Sequence, residues 1–398
     1  MFRILIRDLR ISPLRTFLTG FSMYIGIIAM ISAVLVGTLG RNSLLSINAQ
    51  IFGNTPTYSI NISQMSFKDG KKTEAFFQKM NADPCEKAIV VSPNDELQFA
   101  PLEKLENLKD NPKEIYKKLS YIDTIYTSVG YNKIYNIPIY QGRWFTSNTE
   151  SAALEMVVNK SASDLLSSPY AVASSKSSLS LIPLNVIGIV NDGKDWPVIY
   201  INVEALFYRI PNLFVAQNAS IYWYNNSNLQ MEDMQSFVSD LLYDTIGGSI
   251  ENATRIDSGD NYDSVIDMLQ LGLIVSATLL LFVSVLGQIN IGLSSLEQRT
   301  HELLIRRALG ASRLNISILV LGSQFILSIV VCLIAVITSM GIVQIISFIL
   351  PIDSPISSPD YPIVAALAAV FTSVVTALLG GVIPAIKASK LEPALALR

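Results

Sequence analysis

Four long stretches of this chain contain no aspartate, glutamate, lysine or arginine, and this feature constrains the fold more than any other. The stretches cover residues 16–40, 268–296, 314–352 and 361–386. Each exceeds the roughly 20 residues that an α-helix needs to cross a bilayer. Only 15% of the 398 residues are charged, against about 25% in soluble domains. The chain is therefore predicted to be a membrane protein with four spans.

The region between the first two stretches has the composition of a soluble domain. Residues 41–267 hold 18 lysines and arginines and 26 acidic residues. Helical patterns at 73–80 and 231–245 interrupt several strand-like runs, which predicts an α+β domain. The serine-rich stretch 161–180 is interpreted as a loop or a mobile insertion. The strand-like runs are 57–63, 88–92, 134–140, 184–190, 198–203 and 220–224.

The short connections predict the orientation. Residues 1–15, the loop 297–313 and the tail after residue 386 each carry more bases than acids, whereas 353–360 has two aspartates and no base. Because basic short loops stay in the cytoplasm, both termini and the 297–313 loop are predicted to lie inside. Four spans then place 41–267 outside. The first stretch is longer than the roughly 7–15 residues of a signal-peptide core, which favours a retained span over a cleaved signal peptide.

The first twelve residues are predicted to form an amphipathic helix in the plane of the membrane interface. Apolar residues recur on one side at helical spacing, and arginines fall on the other. Ser12 and Pro13 suit the start of the next helix. The alternative is a disordered basic leader. The apolar set is Phe2, Leu5, Ile6 and Leu9, and the basic set is Arg3, Arg7 and Arg10.

Small residues form stripes along the first and last spans. Such stripes let helices approach closely in lipid, either within one chain or across a dimer. The first stripe is Ser22, Gly26, Ala29, Ala33, Gly37 and Gly40, and the second is Ala365, Ala369, Thr372, Thr376 and Gly380.

The sequence argues against catalysis by this chain. Its one histidine, His301, lies in the 297–313 loop, so a histidine-based nucleophilic or metal site outside is excluded. There is no G-x-x-x-x-G-K-[ST] phosphate loop. The two cysteines, Cys85 and Cys332, fall in the outer region and the third span and are not expected to meet. Any energy from nucleotide hydrolysis must therefore come from another chain.

Two further features allow more than one interpretation. Four aspartates precede the second span at helical intervals; they could hold a hard cation, or they could favour the helix dipole. The aromatic triplet 222–224 fits an alternating strand, an interface contact or a hydrophobic substrate site. The aspartates are Asp257, Asp260, Asp263 and Asp267.

The charged segment 297–313 has a clear helical pattern. Glu302 and Arg306 are spaced i,i+4 in the favourable order. Gly310 suits the end of the helix. The alternative is a positively charged anchor that only sets the topology. The predicted apolar side is Leu304, Ile305, Ala308 and Leu309.

The same segment resembles the cytoplasmic motif of MacB/FtsX-type ABC transporter permeases. The matching residues are Arg299, Glu302, Arg307-Ala308 and Gly310-Ala311. Leu304 departs from the pattern, because the family usually has glycine there. Further similarity extends over the chain: 14–19 with Ile25-Gly26 in the first span, 142–145, 157–158 and 186–190 in the outer domain, and Pro384-Ala385 with 393–398 at the end.

This resemblance implies a non-catalytic permease subunit. It implies a homodimer that binds a dimer of separate ABC ATPase subunits, which hold the ATP and Mg²⁺, so this chain needs no cofactor or metal. Segment 297–313 would be the coupling helix, with Glu302, Arg306 and Arg307 contacting the ATPase and Gly310 shaping its end. Peptides, antibiotics or lipid-linked molecules would be extruded by the outer domain, with an adaptor protein as a further candidate partner. No nucleic acid is expected.

An alternative within the same family is a signalling permease that regulates a cell-wall hydrolase without transport, as FtsX-like members do. Either way, the expected location is the bacterial cytoplasmic membrane, with several spans. The predicted divisions are the amphipathic helix 1–12, the first span 13–40, the extracytoplasmic MacB-like α+β domain 41–267, the second span 268–296, the coupling helix 297–313, the third span 314–350, an outer loop 351–361, the fourth span 362–384 and the tail 385–398.

Overall fold

The computed structural model describes residues 13–83, 85–93, 96–101, 117–146, 154–166, 170–175, 182–209, 216–257, 259–351, 354, 356 and 360–390. The amphipathic helix predicted for residues 1–12 and the tail residues 391–398 lie outside the described residues. The helices are α1 Pro13–Phe52, α2 Gly70–Ala82, α3 Tyr131–Ile134, α4 Lys160–Leu166, α5 Val203–Arg209, α6 Met231–Asp244, α7 Gly259–Ala308, α8 Arg313–Ile349 and α9 Ile363–Ser389.

The strands all belong to one twelve-stranded sheet. Its order is β12-β1-β11-β2-β5-β10-β7-β9-β8-β3-β4, and β6 pairs with β9. The strands are β1 Thr57–Ser63, β2 Lys87–Pro93, β3 Leu97–Pro101, β4 Ser120–Tyr121, β5 Asp123–Thr127, β6 Ile139–Gly142, β7 Glu155–Asn159, β8 Tyr170–Ser175, β9 Ile182–Val190, β10 Val198–Asn202, β11 Ala216–Tyr224 and β12 Ser249–Arg255.

The chain divides into two compact units. The described residues within 1–42, 263–350 and 358–398 form the helix unit, and those within 43–262 and 351–357 form the sheet unit. Within the described part of the chain, four helices, α1, α7, α8 and α9, are long and apolar enough to cross a membrane. The four-span α+β architecture predicted from the charge distribution is confirmed.

The long helices pack through small and hydroxyl-bearing residues. The stripe on α9 is buried, and the Ser328 hydroxyl of α8 donates to the Ser373 carbonyl of α9 at 2.7 Å. On α1, the Ser22 hydroxyl donates to the Ser284 carbonyl of α7 at 3.2 Å. The missing side chain of Gly380 leaves room for the fully buried Gln288. These stripes therefore bring together helices of the same chain.

The sheet unit has a hydrophobic core on each face of the sheet, and β10 contributes to both. All five β10 residues are buried. Ile199 and Ile201 join a cluster with α2, α5 and α6, whereas Val198 and Tyr200 join an aromatic cluster that contains Tyr131 of α3. Successive side chains of a strand point to opposite faces, so one strand can serve both cores. The helical pattern predicted at 231–245 is confirmed by α6, whose buried residues are Met234, Val238, Leu241 and Leu242.

Two assignments in the sheet unit were wrong. The serine-rich stretch 161–180 includes most of helix α4 and all of strand β8. Asn159 caps α4 by accepting from the Ala162 N–H at 2.9 Å, and β8 pairs with both β9 and β3. The backbone hydrogen bonds of β8 to its neighbours therefore outweigh the loop preference of its serine-rich sequence. The run 134–140 is not one strand, because Ile134 ends α3 and β6 begins at Ile139.

The remaining two features have structural roles. Trp223 is buried in one core, and its neighbours Tyr222 and Tyr224 pack against the other, as expected of an alternating strand. Arg41 pairs with Asp263 at 2.8 Å and Asp267 at 3.8 Å. Among the described residues there is no group of three or more side chains that could hold a metal. Cys85 and Cys332 are buried free thiols.

Candidate functional site

The charged segment forms the end of α7 and the turn into α8. Residues 297–308 continue α7 and do not make the separate helix that the charge pattern predicted. Physically, this stretch contains good helix formers and no glycine or proline before Gly310. The change from apolar to charged residues therefore marks a change of surroundings and not the end of a helix.

The end of α7 is fixed by Gly310. Its N–H donates to the Arg307 carbonyl at 3.1 Å, and the Ala311 N–H donates to the Arg306 carbonyl at 3.0 Å. These two bonds form a Schellman motif, whose C′ residue is left-handed. Gly310 has φ +100°, and nothing lies within 4 Å of where a Cβ would be. Glycine is needed here for backbone conformation and not for space.

The next helix begins at once. The Ser312 hydroxyl accepts from the Asn315 N–H at 3.1 Å and caps α8. Only residues 309–312 separate the two helices. With both ends capped, the backbone groups of this turn are satisfied locally, and the chain reverses over a short, well-defined connection.

Glu302 and Arg306 form the predicted ion pair. The Arg306 guanidinium donates to Glu302 Oε1 at 2.6 Å, and the two side chains are 28% and 46% exposed. An exposed i,i+4 pair contributes only about 0.3–0.5 kcal/mol. The pair therefore adds little to stability, and both groups remain within reach of a partner.

Arg307 lies apart from this pair. Its guanidinium is partly buried and donates to the carbonyl of Ser389, the last residue of α9, at 2.8 Å. A cation suits the carbonyl end of a helix. Lys387 of α9 also lies 3.8 Å from Glu297 of α7. Ser389 and Lys387 could not be identified from the sequence, because nothing in local spacing indicates a contact between residues about 80 positions apart.

The apolar residues of the segment face two ways. Leu303, which the sequence analysis did not single out, and Leu304 are buried. Leu303 packs in a cluster with Leu296 and Ile316; the seven-residue spacing of Leu296 and Leu303 was the available signal. By contrast, Ile305 is 46% and Leu309 84% exposed. Within the predicted apolar side, Leu304 is therefore buried inside the chain, whereas Ile305 and Leu309 stay accessible.

An exposed apolar surface remains at the turn. We define the turn surface as Ile305, Leu309 and Leu314, the last of which is 66% exposed, together with Glu302 and Arg306. Large apolar side chains beside charges are typical of a surface that binds a partner protein.

Comparisons with known protein families cover most of the chain. A family model described as the MacB-like periplasmic core domain matches residues 16–241, more than half of the chain. A second, described as the FtsX-like permease C-terminal, matches residues 274–393.

Several curated proteins are similar to this chain. The uncharacterized ABC transporter permease YvrN of Bacillus subtilis is 35% identical over 112 residues, covering 28% of this chain and 26% of YvrN. The macrolide export ATP-binding/permease protein MacB of Escherichia coli is 27% identical over 229 residues, covering 55% and 34%. That of Psychrobacter cryohalolentis is 23% identical over 417 residues, covering 100% and 59%. The chain thus spans less than two thirds of the length of each.

Two solved structures also match in part. The extracellular domain of the noncanonic ABC-type transporter YknZ from Gram-positive bacteria has 14% identity and a TM-score of 0.32, covering 49% of this chain and 100% of that domain. The periplasmic region of MacB from Actinobacillus actinomycetemcomitans has 12% identity and a TM-score of 0.34, covering 54% and 94%. On the family matches, this chain is a member of the MacB/FtsX type of ABC transporter permeases.

Proposed function

We propose that this chain is the membrane subunit of an ABC transporter in which a separate ATPase drives extrusion of cargo by the sheet unit. The observation that carries the proposal is the turn surface, where exposed apolar residues lie beside the Glu302–Arg306 pair. A surface of this chemistry is suited to hold a soluble partner. The chain's sequence has no phosphate loop of its own.

The partner is a dimer of ABC ATPases, and the permease itself is a homodimer. Several similar proteins are named ATP-binding/permease proteins, and this chain spans only part of their length. The basic short loops support a cytoplasmic turn surface and cytoplasmic termini in the bacterial cytoplasmic membrane. ATP-driven movement at the turn would then reach the spans by mechanotransmission.

The contact is expected to involve two kinds of residue. Leu309 and Ile305 insert apolar side chains into the ATPase, while Glu302 and Arg306 fix the orientation. For Arg307, which the resemblance assigns to the ATPase contact, the bond to Ser389 supports a different role, because it links the end of α7 to the end of α9. Movement at the turn would then reach both helices. Gly310 keeps the turn short.

The cargo is an exported amphiphile or peptide. Similar proteins are named for macrolide and pyoverdine export, which supports antibiotics, peptides or lipid-linked molecules as the class of cargo. An adaptor outside the membrane is a further candidate partner. The signalling alternative, regulation of a cell-wall hydrolase, uses the same turn surface and differs only in what the sheet unit binds.

A charge swap at the turn surface tests the coupling. The chain is co-purified with its ATPase from its native host, reconstituted in nanodiscs, and assayed for ATP hydrolysis. Arg306→Glu should lower hydrolysis at least tenfold, because a partner contact is reversed. The double variant Glu302→Arg/Arg306→Glu restores an ion pair within the helix but presents reversed charges to the partner, so it should stay inactive.

Two results would contradict the proposal. Full activity of the double variant would mean that the pair only stabilises the helix. Full activity of Leu309→Ser, which removes an exposed side chain and no packing within the chain, would mean that the turn surface is not the docking site. Addition of candidate cargo to the wild-type complex separates transport from signalling, since only a transporter should deplete cargo from the nanodisc lipid.

A further inference from the structure

A polar cavity lies among the ends of the four long helices, within the helix unit. Its volume is about 70 Å³, and its wall includes Arg299, Glu302 and Arg306 of α7 with Ser323 and Gln324 of α8. The three charged side chains give it a formal charge of +1. A group of this kind at the predicted cytoplasmic end of the spans favours an anion.

An apolar groove continues from this cavity. It has a volume of about 500 Å³ and runs between α1 and α8, with Phe17 and Phe21 on one side and Val331 on the other. Thr16 and Leu327 line both the cavity and the groove, so the two spaces adjoin. The groove follows about three turns of α1 and about two turns of α8, a rise of roughly 10–16 Å. A polar pocket joined to an apolar groove matches the shape of an amphiphile.

Two details of the cavity and groove walls restrict the chemical class of the ligand. Gly20 lines the groove, and a Cβ there would lie 3.5 Å from both Leu327 and Val331, so the absent side chain leaves the groove open without strain. Gln324 Oε1 is buried and has no hydrogen-bond partner among the described residues. Buried polar atoms are normally satisfied, and a ligand that carries a hydroxyl donor beside its anion would satisfy this one.

We propose that the cavity and groove together bind one anionic phospholipid of the inner leaflet, of the phosphatidylglycerol class. Arg299 and Arg306 hold the phosphate, a glycerol hydroxyl donates to Gln324, and one acyl chain lies along the groove between α1 and α8. This lipid is a resident ligand and not the cargo. It adjoins the Glu302–Arg306 pair, so its binding is linked to the turn surface, yet its presence does not depend on an ATPase.

Native mass spectrometry of the purified full chain in detergent tests the proposal. Equal amounts of phosphatidylglycerol and phosphatidylcholine with the same acyl chains are added, and bound lipid is counted. We expect at least tenfold preference for phosphatidylglycerol, and its loss in the Arg299→Gln/Arg306→Gln variant, because each basic contact contributes severalfold. Arg313→Gln is the matched control, since Arg313 is exposed and does not line the cavity.

A further variant and a soluble headgroup analogue test the groove and the cavity separately. Gly20→Leu fills the groove and should lower phosphatidylglycerol binding at least tenfold, while binding of soluble glycerol 3-phosphate stays unchanged. Far-UV circular dichroism, to which the long helices of the helix unit contribute, verifies that each variant is folded. Equal binding of the two lipids to the wild type, or an equal loss in Arg313→Gln, overturns the proposal. A lipid-free dimer that Gly20→Leu abolishes also overturns it, because a second copy would then occupy the groove.

Discussion

The burial of Glu204 in the sheet unit predicts an unusual dependence of stability on pH. Glu204 lies in the first turn of α5 and is 2% exposed. Burial raises the pKa of Glu204 from its ordinary 4.5 to about 7, although the Asn81 side chain and the Val129 backbone oppose part of that change. A buried carboxylate is held in its neutral form by the loss of water.

The size and sign of the effect follow from proton linkage. The unfolded chain releases the Glu204 proton near pH 4.5, but the folded protein keeps it until about pH 7. The folded state therefore binds more protons in this window, and stability falls as pH rises through it. At about 1.4 kcal/mol per pKa unit, Glu204 lowers the free energy of unfolding by about 3 kcal/mol above pH 7 relative to pH 4.5.

Glu204→Gln removes this effect. The variant should be about 2–3 kcal/mol more stable than the wild type at pH 8 and close to it at pH 4.5, because the amide is neutral at both. Tryptophan emission is a selective probe, since Trp144, Trp196 and Trp223 are the three tryptophans and all lie in the sheet unit. The assay is urea unfolding of the full chain in dodecyl maltoside at both pH values.

An exposed glutamate provides the control. Glu232 lies at the start of α6 and is solvent-exposed, so Glu232→Gln should change the pH dependence by no more than about 0.5 kcal/mol. If the wild type and Glu204→Gln lose stability equally between pH 4.5 and pH 8, the reasoning from burial is refuted. Other groups would then control the response.

Two glycines give further predictions, with Gly341→Ala as a shared control because nothing lies within 4 Å of a Cβ there and its φ is not positive. Gly310→Ala should lower stability by about 1–2 kcal/mol through backbone strain alone, seen as a lower melting temperature in detergent, and Gly310→Asn should recover part of it. Gly380→Ala should lower the melting temperature by several degrees, since a Cβ would displace the buried Gln288. If Gly310→Ala melts at the same temperature as Gly341→Ala, backbone strain at residue 310 is contradicted. If Gly380→Ala does so, displacement of Gln288 is contradicted.

The membrane architecture was predictable because the bilayer enforces it. A helix in hydrocarbon must satisfy its own backbone groups and exclude charge, so the uncharged stretches report spans directly. The same signal fails at helix ends. Residue 40 ends the first uncharged stretch, yet α1 continues to Phe52, and α7 begins before the second stretch and continues through the charged residues to Ala308.

The sheet was predictable only in part. Local alternation located β1, whose bounds Thr57–Ser63 match the expected run, but it could not give the strand order. β10, for example, is parallel to β5 and antiparallel to β7. Such pairings join strands that are far apart in the chain. The alternation of apolar and polar residues shows only which face of a strand is buried, and it does not show which strand lies beside it. Strand β8 was not predicted, because its serine-rich composition is typical of a loop. Its backbone hydrogen bonds to two neighbouring strands do not depend on side-chain type.

The structure gives different roles to the residues of the charged segment 297–313. The resemblance assigns Glu302, Arg306 and Arg307 to the ATPase contact and Gly310 to the end of the helix; in the structure Arg307 bonds to Ser389 of α9 and Gly310 ends α7. A load on the turn would thus reach α7 and α8 through a four-residue connection, and α9 through the Arg307 bond. We therefore expect variants of Glu302, Arg306 and Leu309 to weaken ATPase binding, whereas Arg307→Gln should leave binding intact and weaken only the transmission.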